Sequence, residues 1–160
     1  MLRMSKLTDY GTMILAQLPV AGDGLASAGD VATATHLTQP TVSKLLKALL
    51  HAGLVVSTRG AKGGYALARP AREISAAQII DALEGPVAIT ECSAEEGQCS
   101  LESFCRVGSA WQRINLGIRR ALGEISLADL RTNARPLRKP ELRAMLAESE
   151  ALHKPTRLSN

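Results

Sequence analysis

Hydrophobic positions recur at helical spacing along most of this chain, and the spacing changes at places that mark its elements. Leu7, Tyr10, Ile14 and Leu18 lie three to four residues apart and predict a first helix from Lys6 to Leu18, ended by Pro19. After the loop Ala21-Gly22-Asp23-Gly24, Ser27-x-x-Asp30 has the form of a capping box and opens a second, short helix to Thr35. A third helix starts at Thr38 or Gln39, tolerates Pro40 in its first turn, and runs to His51, with Gly53 as its left-handed stop. Two short helices joined by the tight turn His36-Leu37 form a helix-turn-helix.

The pattern then becomes β-like. Leu54 to Arg59 is a β-branched run, Gly60 to Gly64 is a turn, and Tyr65 to Leu67 returns, which predicts a β-hairpin. Ser75-x-x-Gln78 caps a fourth helix with Ile79, Ile80 and Leu83 inward, closed by Gly85-Pro86. A loop over 87–105 precedes a long helix from Ser109 to Ile125, and Ser126-x-x-Asp129 caps one further turn. Beyond Arg131, Pro136, Pro140 and Pro155 interrupt the chain, and a short helix near Glu141 to Leu152 is the one element the pattern allows.

The expected fold class is mainly α with a small β-hairpin: a winged helix-turn-helix plus a long dimerisation helix. The expected organisation is a head at 1–86, a cysteine loop at 87–108, a dimer helix with its short cap helix at 109–131, and a flexible tail at 132–160.

Charge gives the head a purpose. No acidic residue occurs from Val31 to Arg72, whereas Lys44, Lys47, Arg59, Lys62, Arg69 and Arg72 are basic, the single-sign stretch that attracts phosphate. On the third helix Val42, Leu45, Leu46 and Leu49 share the inward face. Gln39, Thr41 and Ser43 stand where such helices read base edges, and Lys44 and Lys47 where they meet bases or phosphates. Any amphipathic helix has a polar face, so the hairpin matters: Gly60, Gly63 and Gly64 allow positive φ and close backbone approach, with Arg59 and Lys62 flanking the tip. A basic tip of this kind can enter a minor groove. Double-stranded DNA is the expected partner.

Composition narrows the classes. Hydrophobic residues make up 46% of the chain, but the aromatics are one Trp, two Tyr and one Phe, too few for stacking single-stranded bases. No run approaches about 18 apolar residues and no signal-peptide pattern opens the chain, so no membrane partner and a cytoplasmic location are expected. His36, His51 and His153 are scattered, and no nucleophile–base pair or phosphate loop suggests an enzyme.

Three cysteines in the spacing Cys92-x6-Cys99-x5-Cys105 are poor candidates for structural disulfides in that location. They lack the Cys-x2-Cys pair of zinc ribbons. Thiolates five or six residues apart can wrap an iron–sulfur cluster, which needs about four protein ligands. Unrelated free thiols, or thiols that oxidise to a regulatory disulfide, satisfy the same spacing. Asp9 is the candidate fourth ligand, although a carboxylate near a helix start also serves the helix dipole. Glu91, Glu95, Glu96 and Glu102 keep this segment away from DNA.

In the long helix Trp111, Ile114, Ile118, Ala121 and Ile125 follow a 3-4-3-4 spacing, a seam that predicts a homodimer reading a pseudo-palindromic operator.

These residues together resemble the Rrf-two family of winged-helix regulators, which includes the IscR and NsrR types. The resemblance spans residues 2–131. It lies in Lys6-Leu7-Thr8-Asp9-Tyr10-Gly11, Thr41-Val42-Ser43-Lys44-Leu45-Leu46, Gly53-Leu54-Val55, Arg59-Gly60-x-x-Gly63-Gly64-Tyr65 and the three cysteines. Leu83-Glu84-Gly85-Pro86, Thr90-Glu91-Cys92-Ser93 and Trp111-Gln112-Arg113-Ile114-Asn115 are most similar to the branch that regulates the SUF iron–sulfur assembly system.

The resemblance implies a cluster on Cys92, Cys99 and Cys105 in a dimer that controls iron–sulfur biogenesis genes. The IscR type completes a 2Fe–2S site with a histidine three residues after the last cysteine, where this chain has Gly108. The NsrR type completes a 4Fe–4S site with a first-helix aspartate from the partner subunit, and Asp9 matches that position. The first cysteine spacing is one residue longer than in either type. A clusterless thiol-redox or zinc-dependent regulator, or a nitric-oxide-sensing repressor, stands as the alternative on the same fold.

Overall fold

The computed structural model of the chain describes residues 4–60, 62–94, 99–100, 105–131 and 139–152. Helices α1 (Lys6–Gln17), α2 (Ala28–Thr35) and α3 (Gln39–His51) lead to an antiparallel hairpin of β1 (Val55–Thr58) and β2 (Gly64–Leu67). Then come α4 (Ala76–Glu84), α5 (Gly108–Glu124), α6 (Leu127–Arg131) and α7 (Lys139–Leu152). This is a winged helix followed by a long helix, as the pattern predicts.

The ends of the helices follow local chemistry. Ser27 and Asp30 close a reciprocal capping box at α2, and Ser75 and Gln78 close another at α4. At the end of α3, Gly53 adopts φ 70°. Its N–H donates to the Leu50 carbonyl and that of Leu54 to the Leu49 carbonyl, the paired bonds of a Schellman stop. That stop uses Leu54's amide, so β1 begins one residue later than expected. His36, in the turn between α2 and α3, is the one non-glycine residue with positive φ among the described residues, at 56°.

A single aliphatic core joins the elements. Ile14, Leu15 and Leu18 from α1 and its end, Val31 from α2, and Val42, Leu45, Leu46 and Leu49 from α3 meet Leu54, Val55, Leu67, Ile74, Ile79 and Leu127, all buried. Leu7, expected on the inward stripe of α1, is instead 40% exposed. The α1 face toward α4 is built from Thr8 and Gly11, which are buried, so the stripe is rotated from the one the apolar spacing suggests.

The wing is broader than a hairpin. The α1–α2 loop lies against β2, with bridges Val20–Leu67 and Ala26–Tyr65. Gly63 and Gly64 do not have positive φ; of the three tip glycines Gly60 does, at 117°. A side chain at Gly63 would run into the Thr58 carbonyl oxygen, and one at Gly64 would lie 2.8 Å from the Ala26 carbonyl oxygen. Close backbone approach, not handedness, selects glycine there.

Beyond α5 the chain is tied back to the head. Ala76 N–H donates to the Ile125 carbonyl at 2.8 Å, and Leu127 N–H to the Ile74 carbonyl at 2.7 Å. Arg131 reaches from α6 to the C-terminal end of α1, donating to the Leu15 and Leu18 carbonyls at 2.7 Å each. Burial lowers the pKa of its guanidinium. The helix expected near Glu141 to Leu152 is present as α7, two residues longer at its start. The flexibility expected of the tail concerns, at 132–138 and 153–160, residues outside those described.

Glu84 closes the head at the other end of α1. It accepts from the Thr8 hydroxyl, and from the Ser5 hydroxyl and Ser5 N–H at 3.0 Å each. These bonds, the one from Thr8 foremost, hold its carboxyl below the ordinary glutamate range. A lowered folded value means the contribution is complete above the unfolded glutamate value and is lost as pH falls through the folded one. Glu84→Ala should therefore lower stability near neutrality, and its difference from the parent should narrow in acid, as read by denaturant unfolding at both pH values.

Candidate DNA interface and cysteine site

The sequence-predicted DNA residues lie on two elements of the head, α3 and the wing. Gln39, Ser43, Lys44 and Lys47 are exposed along α3, and Arg59 and Lys62 are exposed at the wing tip. Thr41 is half-buried and its hydroxyl lies 2.8 Å from that of Thr38, so it is less free than the others. Thr38 makes no side-chain cap, and no acidic residue occurs in the first turn of α3, which leaves the positive end of the helix dipole unopposed by carboxylates of its own. The ion pairs among the described residues, Arg72–Glu73 and Arg119–Asp81, involve none of these lysines or arginines. Arg69, basic in sequence, is turned to the base of the wing, donating to the Glu73 carbonyl at 3.1 Å.

The cysteine segment follows α4 through Gly85-Pro86. Cys92 sits in a single 3-10 turn, Glu91–Ser93, and Cys105 lies three residues before α5. All three cysteines are free and half-buried. The Thr90 hydroxyl lies 3.3 Å from the Cys92 sulfur. At Gly108, the first residue of α5, a side chain's Cβ would stand 3.6 Å from the Cys105 sulfur and 4.0 Å from the Cys92 sulfur. Two thiols thus converge over a glycine at a helix start with no side-chain cap, the helix end that attracts negative charge.

Among the described residues no three His, Cys, Asp or Glu side chains form a metal-holding group, so Cys99 does not complete a trio with the other two. Position 108, where the IscR type carries its histidine, does abut the sulfurs. Cys92 and Cys105 supply soft thiol donors of the kind that hold an iron–sulfur group, with Cys99 apart from them. Asp9 is exposed and lines a cavity of about 570 Å³ with Met4, Thr12, Ile80, Leu122 and Ile125, away from the cavity that Cys92 lines.

One side of α5 is polar and inward. Asn115, 4% exposed, accepts from Ile89 N–H at 3.3 Å and donates to the carbonyls of Val87 at 3.1 Å and Ser93 at 3.4 Å. Gln112 donates to the Cys92 carbonyl at 2.9 Å, and Arg119 makes a two-pronged bridge to Asp81 at 2.9 and 3.3 Å. Gln112 and Asn115 enter the sequence reading only as part of the motif Trp111-Gln112-Arg113-Ile114-Asn115, with no structural role attached. A buried asparagine beside an apolar seam was the signal that could have found them.

The seam itself points outward. Trp111, Ile114 and Ile125 are 43%, 47% and 44% exposed, Ala121 is exposed and Ile118 half-buried. Own-domain packing therefore does not account for the stripe.

The sequence profile of the Rrf2 family, described as iron-dependent transcriptional regulators, matches residues 4–133. The Rrf2 protein of Nitratidesulfovibrio vulgaris is 31% identical over 134 residues, 83% of this chain and 89% of that protein. The structure of CymR, the global cysteine regulator of Bacillus subtilis, is 31% identical with a TM-score of 0.63, covering 84% of this chain and 99% of that one. IscR from T. potens is 31% identical with a TM-score of 0.56, covering 97% and 93%. With a winged helix and a family match over most of its length, the chain belongs to the Rrf2 family of DNA-binding transcriptional regulators.

Proposed function

We propose that this regulator is a homodimeric repressor of iron–sulfur assembly genes whose operator affinity is set by an iron–sulfur cluster on Cys92, Cys99 and Cys105. The observation that carries the reading is the convergence of the Cys92 and Cys105 sulfurs on Gly108, at the start of the helix whose apolar seam is left open. When bound, the cluster supplies an iron–sulfide centre that is sensitive to oxidation and to iron supply. The protein's own residues do the rest. Cys92 and Cys105 present thiols on the first turn of α5, Cys99 is drawn in from the intervening loop, and Trp111, Ile114, Ile118, Ala121 and Ile125 pack on a second copy.

For the fourth ligand we assign Asp9 of the second copy. Position 108 is beside the sulfurs but has no side chain, and Asp9 is an exposed carboxylate in a cavity that the seam residue Ile125 also lines. On the DNA side, Gln39, Thr41 and Ser43 read base edges, Lys44 and Lys47 hold α3 on the duplex, and Arg59, Lys62 and Gly63 present the wing to the minor groove. Two copies related by a two-fold axis address a pseudo-palindromic operator.

A second reading is a thiol-redox regulator without a cluster, favoured by the paired sulfurs and the likeness to CymR. Anaerobic purification separates the two. Brown protein with iron and sulfide supports the first, and Cys99→Ala should then lose the chromophore while keeping its helical circular dichroism. Colourless protein, or unchanged iron in Cys99→Ala, overturns the ligand assignment.

Lys47→Ala should weaken binding to all DNA sequences and reduce the slope of log affinity against log salt by about 1. Salt titrations of duplex binding read this, and an unchanged slope refutes the assignment of α3 to the duplex. Ile114→Glu should convert the dimer to a monomer by sedimentation, because it places charge in the middle of the seam. A dimer that persists refutes the seam.

A further inference from the structure

We infer that Gln112 and Asn115 form a latch that makes α5 a lever driven by the Cys92 segment. The latch deepens the proposed reading of the cysteines as the input, and rests on it for its biological role. Its physical basis is separate.

The two ends of α5 are held by different forces. At its C-terminal end, main-chain bonds join Ile125 to Ala76 and Leu127 to Ile74, and the Leu127 side chain is fully buried. That end is a fixed pivot. At the other end Gln112 grips the Cys92 carbonyl, while Asn115 holds three main-chain groups between Val87 and Ser93. No deep apolar contact within the protomer competes there, since Trp111, Ile114 and Leu116 around these amides are all exposed at its surface. Hydrogen bonds of this kind are directional and break when their partner turns by a fraction of a residue, whereas apolar contacts slide.

A displacement of Cys92 therefore pulls on α5 near its free end. Arg119, bridged to Asp81, lies between the latch and the pivot, and Asp81 also accepts from Val87 N–H at 3.1 Å, so the same row records where the segment leaves α4. Gln112 and Asn115 are positioning residues: they carry a change at Cys92 to the helix, and the helix's effect back to Cys92 must be of equal size.

Trp111, the single tryptophan of the chain, precedes Gln112 on α5 and reports the helix directly. The test uses the full chain with Cys99→Ser and Cys105→Ser, so that iodoacetamide reaches Cys92 alone, and it needs neither iron nor DNA. Alkylation of Cys92 should shift the Trp111 emission maximum. The shift should be lost in Gln112→Glu, which keeps the length of the side chain but cannot donate to the Cys92 carbonyl. It should return in Gln112→Lys, which restores a donor, a recovery that a purely space-filling role would not give. Asn115→Leu should also abolish it, and where that variant folds poorly by circular dichroism the Gln112 pair decides. No shift in the parent, or an equal shift in Gln112→Glu, overturns the latch. The test variant lacks two of the proposed ligands and reads the lever alone, whereas iron and sulfide in the parent protein read the cluster, so the two failures are distinguishable.

Discussion

A helix whose apolar seam faces outward has to be held to its own domain by something else, and here that is the amide of Asn115 with its neighbours Gln112 and Arg119. Buried and satisfied at both its oxygen and its nitrogen, Asn115 stands for the backbone contacts that a loop without secondary structure cannot make for itself. Removing it would leave main-chain groups of Val87, Ile89 and Ser93 without this partner, at roughly 1–3 kcal/mol for each that stays buried and unpaired. The position of Cys92, the start of α5 and the direction in which the seam faces all follow from this joint.

The arrangement separates two kinds of contact. Inside the head, aliphatic side chains from α1, α2, α3 and the wing pack into one core, which gives stability but little freedom. Between α5 and the segment that follows α4, the contacts of Gln112 and Asn115 are polar and directional, which fixes a defined geometry. A regulator on this fold needs both: a rigid surface for the duplex, and a joint that can shift the spacing of two such surfaces.

The basic stretch of the head is built on the same economy of local causes. An acid-free stretch from Val31 to Arg72 covers α3 and the wing, and Arg69 within it donates to the Glu73 carbonyl at the foot of the hairpin. The wing reaches its place because Gly63 and Gly64 let main chains approach, and because the α1–α2 loop pairs with β2.

The sequence by itself determined the helices, their caps, the hairpin and the acid-free basic stretch, because these depend on short-range periodicity, capping chemistry and charge within a few residues of one another. Ser27-x-x-Asp30, Ser75-x-x-Gln78 and Gly53 are legible for that reason, and so is the seam of α5. Tertiary structure alone decided which face of α1 meets α4, turning Leu7 outward and Thr8 inward. It also decided that Cys92 and Cys105, but not Cys99, converge on Gly108, and that Asn115 is the joint. Each of these depends on groups more than twenty residues apart, or on a loop whose path no periodicity describes, and such contacts are settled by packing and by the need to satisfy buried main chain.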